Sequence, residues 1–225
     1  MEASKDEQLS LLMQRDYSID FSKYFRKGWE IFQANFVQIG GFFLLSIVIN
    51  FAVNFVPVIG QIASSVINAP LAAGYTFVIL AILRGKSFTF NDFFQGLTNK
   101  YFLQLFLLSL VGGLLTAVGM ILLILPGIYL AVSYVFAIQF AIDWDLEFFQ
   151  ALETSRKFVT KQWLQVFVLM LLLVLLNIAG LIALGVGILV TAPLSLCIVI
   201  CVYDDIAGNL DNGAIRGSGG SIGDF

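Results

Sequence analysis

The chain predicts an all-α membrane protein: six transmembrane helices paired as three hairpins, each preceded by a cytoplasmic amphipathic helix at the membrane interface. Three observations predict it. Of 225 residues, 59% are hydrophobic and 12% charged, with a mean hydropathy of +0.93, which is outside the range of soluble domains. Three blocks, Ile31–Leu83, Tyr101–Ile142 and Gln162–Tyr203, contain none of the 12 basic and 15 acidic residues. A bilayer core of roughly 30 Å takes about 20 helical residues, so a block of about 40 crosses twice. Finally, every Lys and Arg lies in 1–30, 84–100, 156–161 or at Arg216, on one side of the proposed hairpins. The positive-inside rule then assigns both termini and both long loops to the cytoplasm. The net charge of −3 does not conflict, because the rule counts Lys and Arg alone.

The elements follow in order. Residues 1–16 are expected to be mobile, and the first 30 carry no short apolar core with a small-residue cleavage site, so insertion is expected to use the first hairpin. Phe21, Phe25, Trp29, Phe32 and Phe36 recur at helical spacing, opposite Lys23, Arg26, Lys27 and Glu30, which predicts an interfacial helix with Asp20 or Ser18 as N-cap. A second such helix is read from Asn91 as N-cap, with Phe93, Phe94, Leu97 and Tyr101 apolar. A third starts at Asp145, with Phe149, Leu152, Val159 and Trp163.

The six spans are placed at about 37–56, 60–83, 102–125, 127–143, 164–184 and 186–203. Outer turns are read at Val56-Pro57-Val58-Ile59-Gly60, Leu125-Pro126-Gly127 and Leu184-Gly185-Val186-Gly187, because Pro and Gly supply turn conformations. Ala69-Pro70-Leu71 echoes Ala192-Pro193-Leu194, with Ser133 near the equivalent place, and kinks are expected at both prolines. Small residues nearby, Gly74 and Gly187 among them, would let backbones approach. The domain is thus 17–206, with pseudo-repeats of about 17–84, 91–143 and 145–206, and 207–225 form a disordered tail rich in Gly, Ser, Asn and Asp.

Leu125-Pro126-Gly127-Ile128-Tyr129-Leu130-Ala131-Val132-Ser133-Tyr134, followed by Ala151-Leu152-Glu153-Thr154-Ser155-Arg156-Lys157-Phe158-Val159-Thr160-Lys161-Gln162-Trp163, resembles the YciC-like bacterial membrane proteins. It also resembles the membrane domain attached to some glycerophosphodiester phosphodiesterases. The similarity extends more weakly to Gly28-Trp29-Glu30-Ile31-Phe32 and Tyr203-Asp204-Asp205-Ile206, covering roughly 18–206. It implies a six-helix protein of the bacterial inner membrane with no settled biochemical role. The phosphodiesterase activity is not carried over, since a catalytic barrel would need about 250 further residues and this chain has no His.

Chemistry-bearing residues are few. Asp143, Asp145 and Glu147, with Asp204 and Asp205, could hold a divalent metal against a lipid phosphate. The favoured reading is that Asp145 caps the following helix and the others keep helix ends in headgroup water, so no catalytic, cofactor or metal residue is assigned. Within the apolar blocks Asn50, Asn54, Asn68, Gln139 and Asn177 either bridge helices or, with Pro70, line a polar cleft. Arg84, Lys86, Lys100, Arg156, Lys157 and Lys161 are candidate contacts for lipid headgroups, or plain topological anchors. Cys197 and Cys201 are expected to be packing residues. Membrane lipids are the expected partners, with other membrane proteins or a second copy also admitted. Nucleic acid is excluded, because the basic residues are interleaved with acids. The preferred function is a non-enzymatic scaffold or lipid-contacting accessory subunit. The runner-up is a small transporter or permeation subunit for a hydrophobic or amphiphilic substrate, followed by a lipid-phosphate enzyme.

Overall fold

The computed structural model describes residues 5–55, 59–183 and 185–208. Among them every regular element is helical: α1 (Lys5–Gln14), α2 (Phe21–Ala34), α3 (Phe36–Val53), α4 (Ile59–Leu83), a 3-10 helix (Phe90–Leu97), α5 (Asn99–Leu122), α6 (Ile124–Ser133), α7 (Ala137–Asp143), α8 (Phe148–Thr160), α9 (Trp163–Ile182) and α10 (Ile188–Ile206). Six stretches are long and apolar enough to cross a membrane: α3, the Val66–Leu83 part of α4, α5, the α6–α7 pair, α9 and α10.

These six divide into two shells. The first, third and fifth spans are 11%, 22% and 22% buried, whereas the second, fourth and sixth are 56%, 44% and 56% buried. The core therefore belongs to α4, α6–α7 and α10. Around them the partly buried spans carry Phe51, Leu114, Ile121 and Ile182 outward, an apolar belt that calls for a surrounding medium as apolar as itself. Tyr203 at the end of α10 joins Phe136 and Phe140 of the fourth span, and Cys197, Ile198 and Cys201 are fully enclosed.

The sequence-predicted Leu125-Pro126-Gly127 turn is corrected. The chain turns at the extended Leu123, and Pro126 and Gly127 lie in the first turn of α6, where a missing amide hydrogen leaves no helical bond unmade. Gly127 instead serves packing, since a Cβ there would meet Met120. The expected outer turn at 56–60 falls mainly on 56–58, outside the described residues.

Pro70 and Pro193 lie inside unbroken helical segments. A separate interruption follows Ser133. Its carbonyl accepts the Ser155 hydroxyl from α8 at 2.7 Å, while the Ala137 amide turns to Tyr134 at 3.0 Å, so the ladder restarts as α7.

Short helices differ in phase and in capping from the expectation. Asp20 does cap α2, accepting the Lys23 amide at 3.1 Å. The inward face of α2 is Tyr24, Gly28, Ile31 and Phe32, leaving Trp29 outward; Phe36, expected on the same helix, opens α3 and is exposed. Asn91 is not a cap; Thr89 is, with Asp92 accepting its backbone amide at 2.7 Å, and the element is a 3-10 helix. Asp145 is no cap either, for its φ is +46° and Glu147 precedes α8. Phe149 is exposed, and Phe158 occupies the core in its stead. Residues 5–14 of the segment expected to be mobile form α1, with Leu12 buried. Residues 209–225 of the expected tail lie outside the described residues.

Candidate functional site

Two polar places stand out among the described residues, one at the charged end of the bundle and one partway along it. At the charged end, α4 finishes at Leu83, so Arg84 extends from a core helix toward the ends of its two core neighbours. Its Nη1 and Nη2 donate to the two carboxylate oxygens of Asp143 at 2.6 and 2.9 Å, and its Nε donates to Asp204 at 3.1 Å. The three side chains are 11%, 1% and 4% exposed. Burial acts to lower the Arg84 pKa and is the largest single influence, yet hydrogen bonds and charge from Asp143 and then Asp204 outweigh it and hold the guanidinium charged. Tyr203 donates to Asp143 from 3.3 Å.

Next to this junction Asp205 accepts from Tyr24 at 2.6 Å and from Lys23 at 2.9 Å, pinning α2. Burial first, then the Asp205 bond, pushes the Tyr24 phenol well above its ordinary value. Gly74 and Gly96 let the 3-10 helix lie on α4: a Cβ on either would run into backbone, the Phe93 carbonyl or the Pro70 carbonyl. A cavity of ≈ 330 Å³ remains between these elements, bordered by Arg84, Lys86, Asp92, Gln95 and Asp143.

Arg84 thus departs from the expectation of a headgroup contact, because its guanidinium is consumed by two buried carboxylates. The other five basic residues are at the surface. Lys86 is exposed. Lys100 reaches Asp145 at 3.4 Å and sits over the Tyr101 ring. Arg156 and Lys157 share Glu153 at 2.7 and 3.3 Å, and Lys161 donates to the Arg15 carbonyl at 3.1 Å. Asp143 and Asp204 likewise leave the role of headgroup-facing charges. Among the described residues there is no group of three His, Cys, Asp or Glu that could hold a metal.

The second place is a groove of ≈ 580 Å³ between α3 and α4, closed behind by Leu196. Spacing along each helix produces it: Phe43, Ser46, Ile47, Asn50 and Asn54 share one face of α3 and its cap, while Asn68, Leu71 and Tyr75 share one face of α4. Three expected cleft residues, Asn50, Asn54 and Asn68, are brought together here. Asn50 donates to the Ser46 carbonyl at 2.9 Å; Asn54 donates to the Asn50 carbonyl at 2.8 Å and to Ser64 at 2.6 Å. Asn68 is exposed and engages none of the described groups. The other expected cleft residues lie elsewhere. Pro70 is buried with its carbonyl against Gly96. Gln139 is buried, and in its satisfied orientation donates to the Val135 and Phe136 carbonyls at 3.2 and 3.3 Å. Asn177 donates to the Leu173 carbonyl and to Ser195, both at 2.8 Å, tying α9 to α10.

Tyr75 is the groove residue that sequence reasoning missed. The residue is 3% exposed, with its hydroxyl buried beside the Ser46 side chain. A lone tyrosine in an apolar run gives no signal beyond packing. Its ring packs with Phe42 and Phe93 at centroid distances of 5.1 and 5.7 Å, and no residue borders both the groove and the charged-end cavity. Comparison of the chain with protein-family models, curated proteins and solved structures found no match.

Proposed function

We propose that this chain is a multi-pass protein of the bacterial cytoplasmic membrane, with both termini cytoplasmic, acting without chemistry of its own as a scaffold or lipid-contacting accessory subunit. In this reading its spans form three hairpins, and α2, the 3-10 helix and α8 lie along the interface with Trp29, Phe90 and Phe149 outward. The single observation that carries it is how the ionisable groups are used. The carboxylates best placed for metal-assisted lipid-phosphate chemistry, Asp143 and Asp204, are neutralised by Arg84, while a lipid-sized groove opens on the apolar flank. A lasting assembly of buried charges and an uncharged groove fits holding better than turnover.

Transport of an amphiphile is the second reading, and the groove favours it as far as Tyr75. Against it, the groove and the charged-end cavity have no bordering residue in common. Native mass spectrometry of the protein released from membranes, joined to flux assays in liposomes, tests the choice. The expected result is retained lipid or protein partners and no flux above empty liposomes. Protein-dependent flux, or hydrolysis of a lipid phosphate ester, would overturn the scaffold reading.

A further inference from the structure

We propose that the cavity at the charged end, between α4, α7 and the 3-10 helix, receives the headgroup of phosphatidylethanolamine, its primary ammonium on Asp92 and Gln95 and its phosphate on Lys86. The inference rests on the lipid-contacting reading and gives it a site and a headgroup class.

Position comes first. The span on α4 is uncharged as far as Leu83, and the cavity straddles that limit. Phe77, Leu80 and Ala81, from the last two turns of the span, form an apolar side with Ile142, whereas Lys86, Ser87, Asp92 and Gln95 lie beyond the span. A cavity half apolar and half charged, at the point where charge re-enters the chain, lies at the level of lipid headgroups. Its ≈ 330 Å³ is at the lower end of the ~300–1,000 Å³ range of small-molecule sites, which suits a headgroup rather than a whole lipid.

Charge then chooses the class. Arg84 is consumed by Asp143 and Asp204, so the depth of the cavity offers an anion two carboxylates and no unshared cation. The other two charged residues bordering it are of opposite sign. Lys86 is exposed and in no salt bridge with a described residue. Asp92 accepts from the Thr89 amide and hydroxyl at 2.7 and 3.1 Å and from Gln95 at 2.6 Å, neutral donors that hold it ionised without cancelling its charge. Gln95, which donates through Nε2, keeps Oε1 as an acceptor.

A lone anion here would meet the Asp92 carboxylate, and a lone cation would meet Lys86. A zwitterion with its two charges a short ethylene link apart satisfies both. Of the zwitterionic headgroups, ethanolamine brings an ammonium with N–H donors for Asp92 and Gln95, while trimethylated choline has none to give and is bulkier.

The test is native mass spectrometry of the full chain in detergent, titrated with dioleoyl phosphatidylethanolamine, phosphatidylcholine or phosphatidylglycerol. The first ethanolamine lipid should bind about five-fold more tightly than either of the others, roughly the worth of one partly exposed charge pair. Asp92→Asn should erase the preference over phosphatidylcholine. Lys86→Gln should weaken both of those lipids alike, since they share the phosphate. Because Asp92 also holds the start of the 3-10 helix, Ser87→Trp is the independent variant: from an exposed position it should fill the mouth and abolish the preference with the melting temperature unchanged. Soluble phosphoethanolamine at equal concentration should not displace the lipid, because it leaves the apolar side bare; equal competition would overturn the lipid as the source of the headgroup. Equal binding of the three lipids, or a preference indifferent to both Asp92→Asn and Ser87→Trp, would overturn the proposal. Either result sinks this site alone, whereas flux or hydrolysis sinks the wider reading.

Discussion

Asp204 and Asp205, adjacent in the chain, take partners from two different helices: Asp204 accepts from Arg84 after α4, and Asp205 from Lys23 and Tyr24 of α2. Successive residues of a helix point about 100° apart, so one turn at the end of α10 joins two elements.

Removing Arg84 should be severe. Arg84→Met leaves Asp143 and Asp204 buried without a counter-charge, and breaking one side of a buried pair costs about 3–5 kcal/mol. The triple variant Arg84→Met, Asp143→Asn, Asp204→Asn should recover much of the loss, because no bare charge remains. Thermal unfolding in detergent, compared across the two variants and the parent, checks this.

Gly74→Ala should detach the 3-10 helix, since the added methyl would run into the Phe93 carbonyl, which is backbone and cannot swing aside. Overpacking of this kind costs about 1–3 kcal/mol. The readout is faster proteolysis within 86–98. Gly113→Ala, where a Cβ has open space, should be silent.

Low pH should loosen the same segment. The Thr89 backbone bond, followed by bonds from Gln95 and the Thr89 hydroxyl, holds the Asp92 carboxyl below its usual range. A carboxylate depressed on folding contributes stability that is present above its unfolded value of about 4 and is lost as pH falls through the lower folded value. Hydrogen exchange at 89–95 should therefore rise as pH drops below about 4, and Asp92→Asn should remove that dependence.

Orientation can be read by cysteine labelling of intact cells in a Cys197→Ala, Cys201→Ala background, where both natural thiols are fully buried and give up little. Phe55→Cys, Leu123→Cys and Val186→Cys, at sites 82%, 68% and 66% exposed, should react with an impermeant thiol reagent. Ser87→Cys should react only after permeabilisation. Protection of all three outer sites would reverse the assigned topology. Gly127 is unsuitable, because a side chain there strikes Met120.

Much of this architecture could be read from the chain because charge is excluded from long runs, which sets the number of spans almost without regard to packing. Rotational phase was harder. A helix such as α2 carries aromatic residues both toward the core and away from it, and hydropathy does not distinguish Phe32, which is buried, from Trp29, which is not. Arg84 posed a similar problem: it reads as an edge residue until Asp143 and Asp204, 59 and 120 positions away, converge on it. Asn50, Asn54 and Asn68 were conspicuous as amides in an apolar run, whereas Tyr75 looked like any packed ring. The break after Ser133 depends on a hydroxyl from Ser155, a contact between distant elements that local propensity does not record.

The two-shell arrangement also dictates a chronology of assembly. Because α10 packs on α2, α3, α4 and α9, the helices emerging first from the ribosome lack part of their packing until the last one is in place. Chains halted before residue 188 would hold Arg84 on Asp143 alone and leave Tyr24 without Asp205.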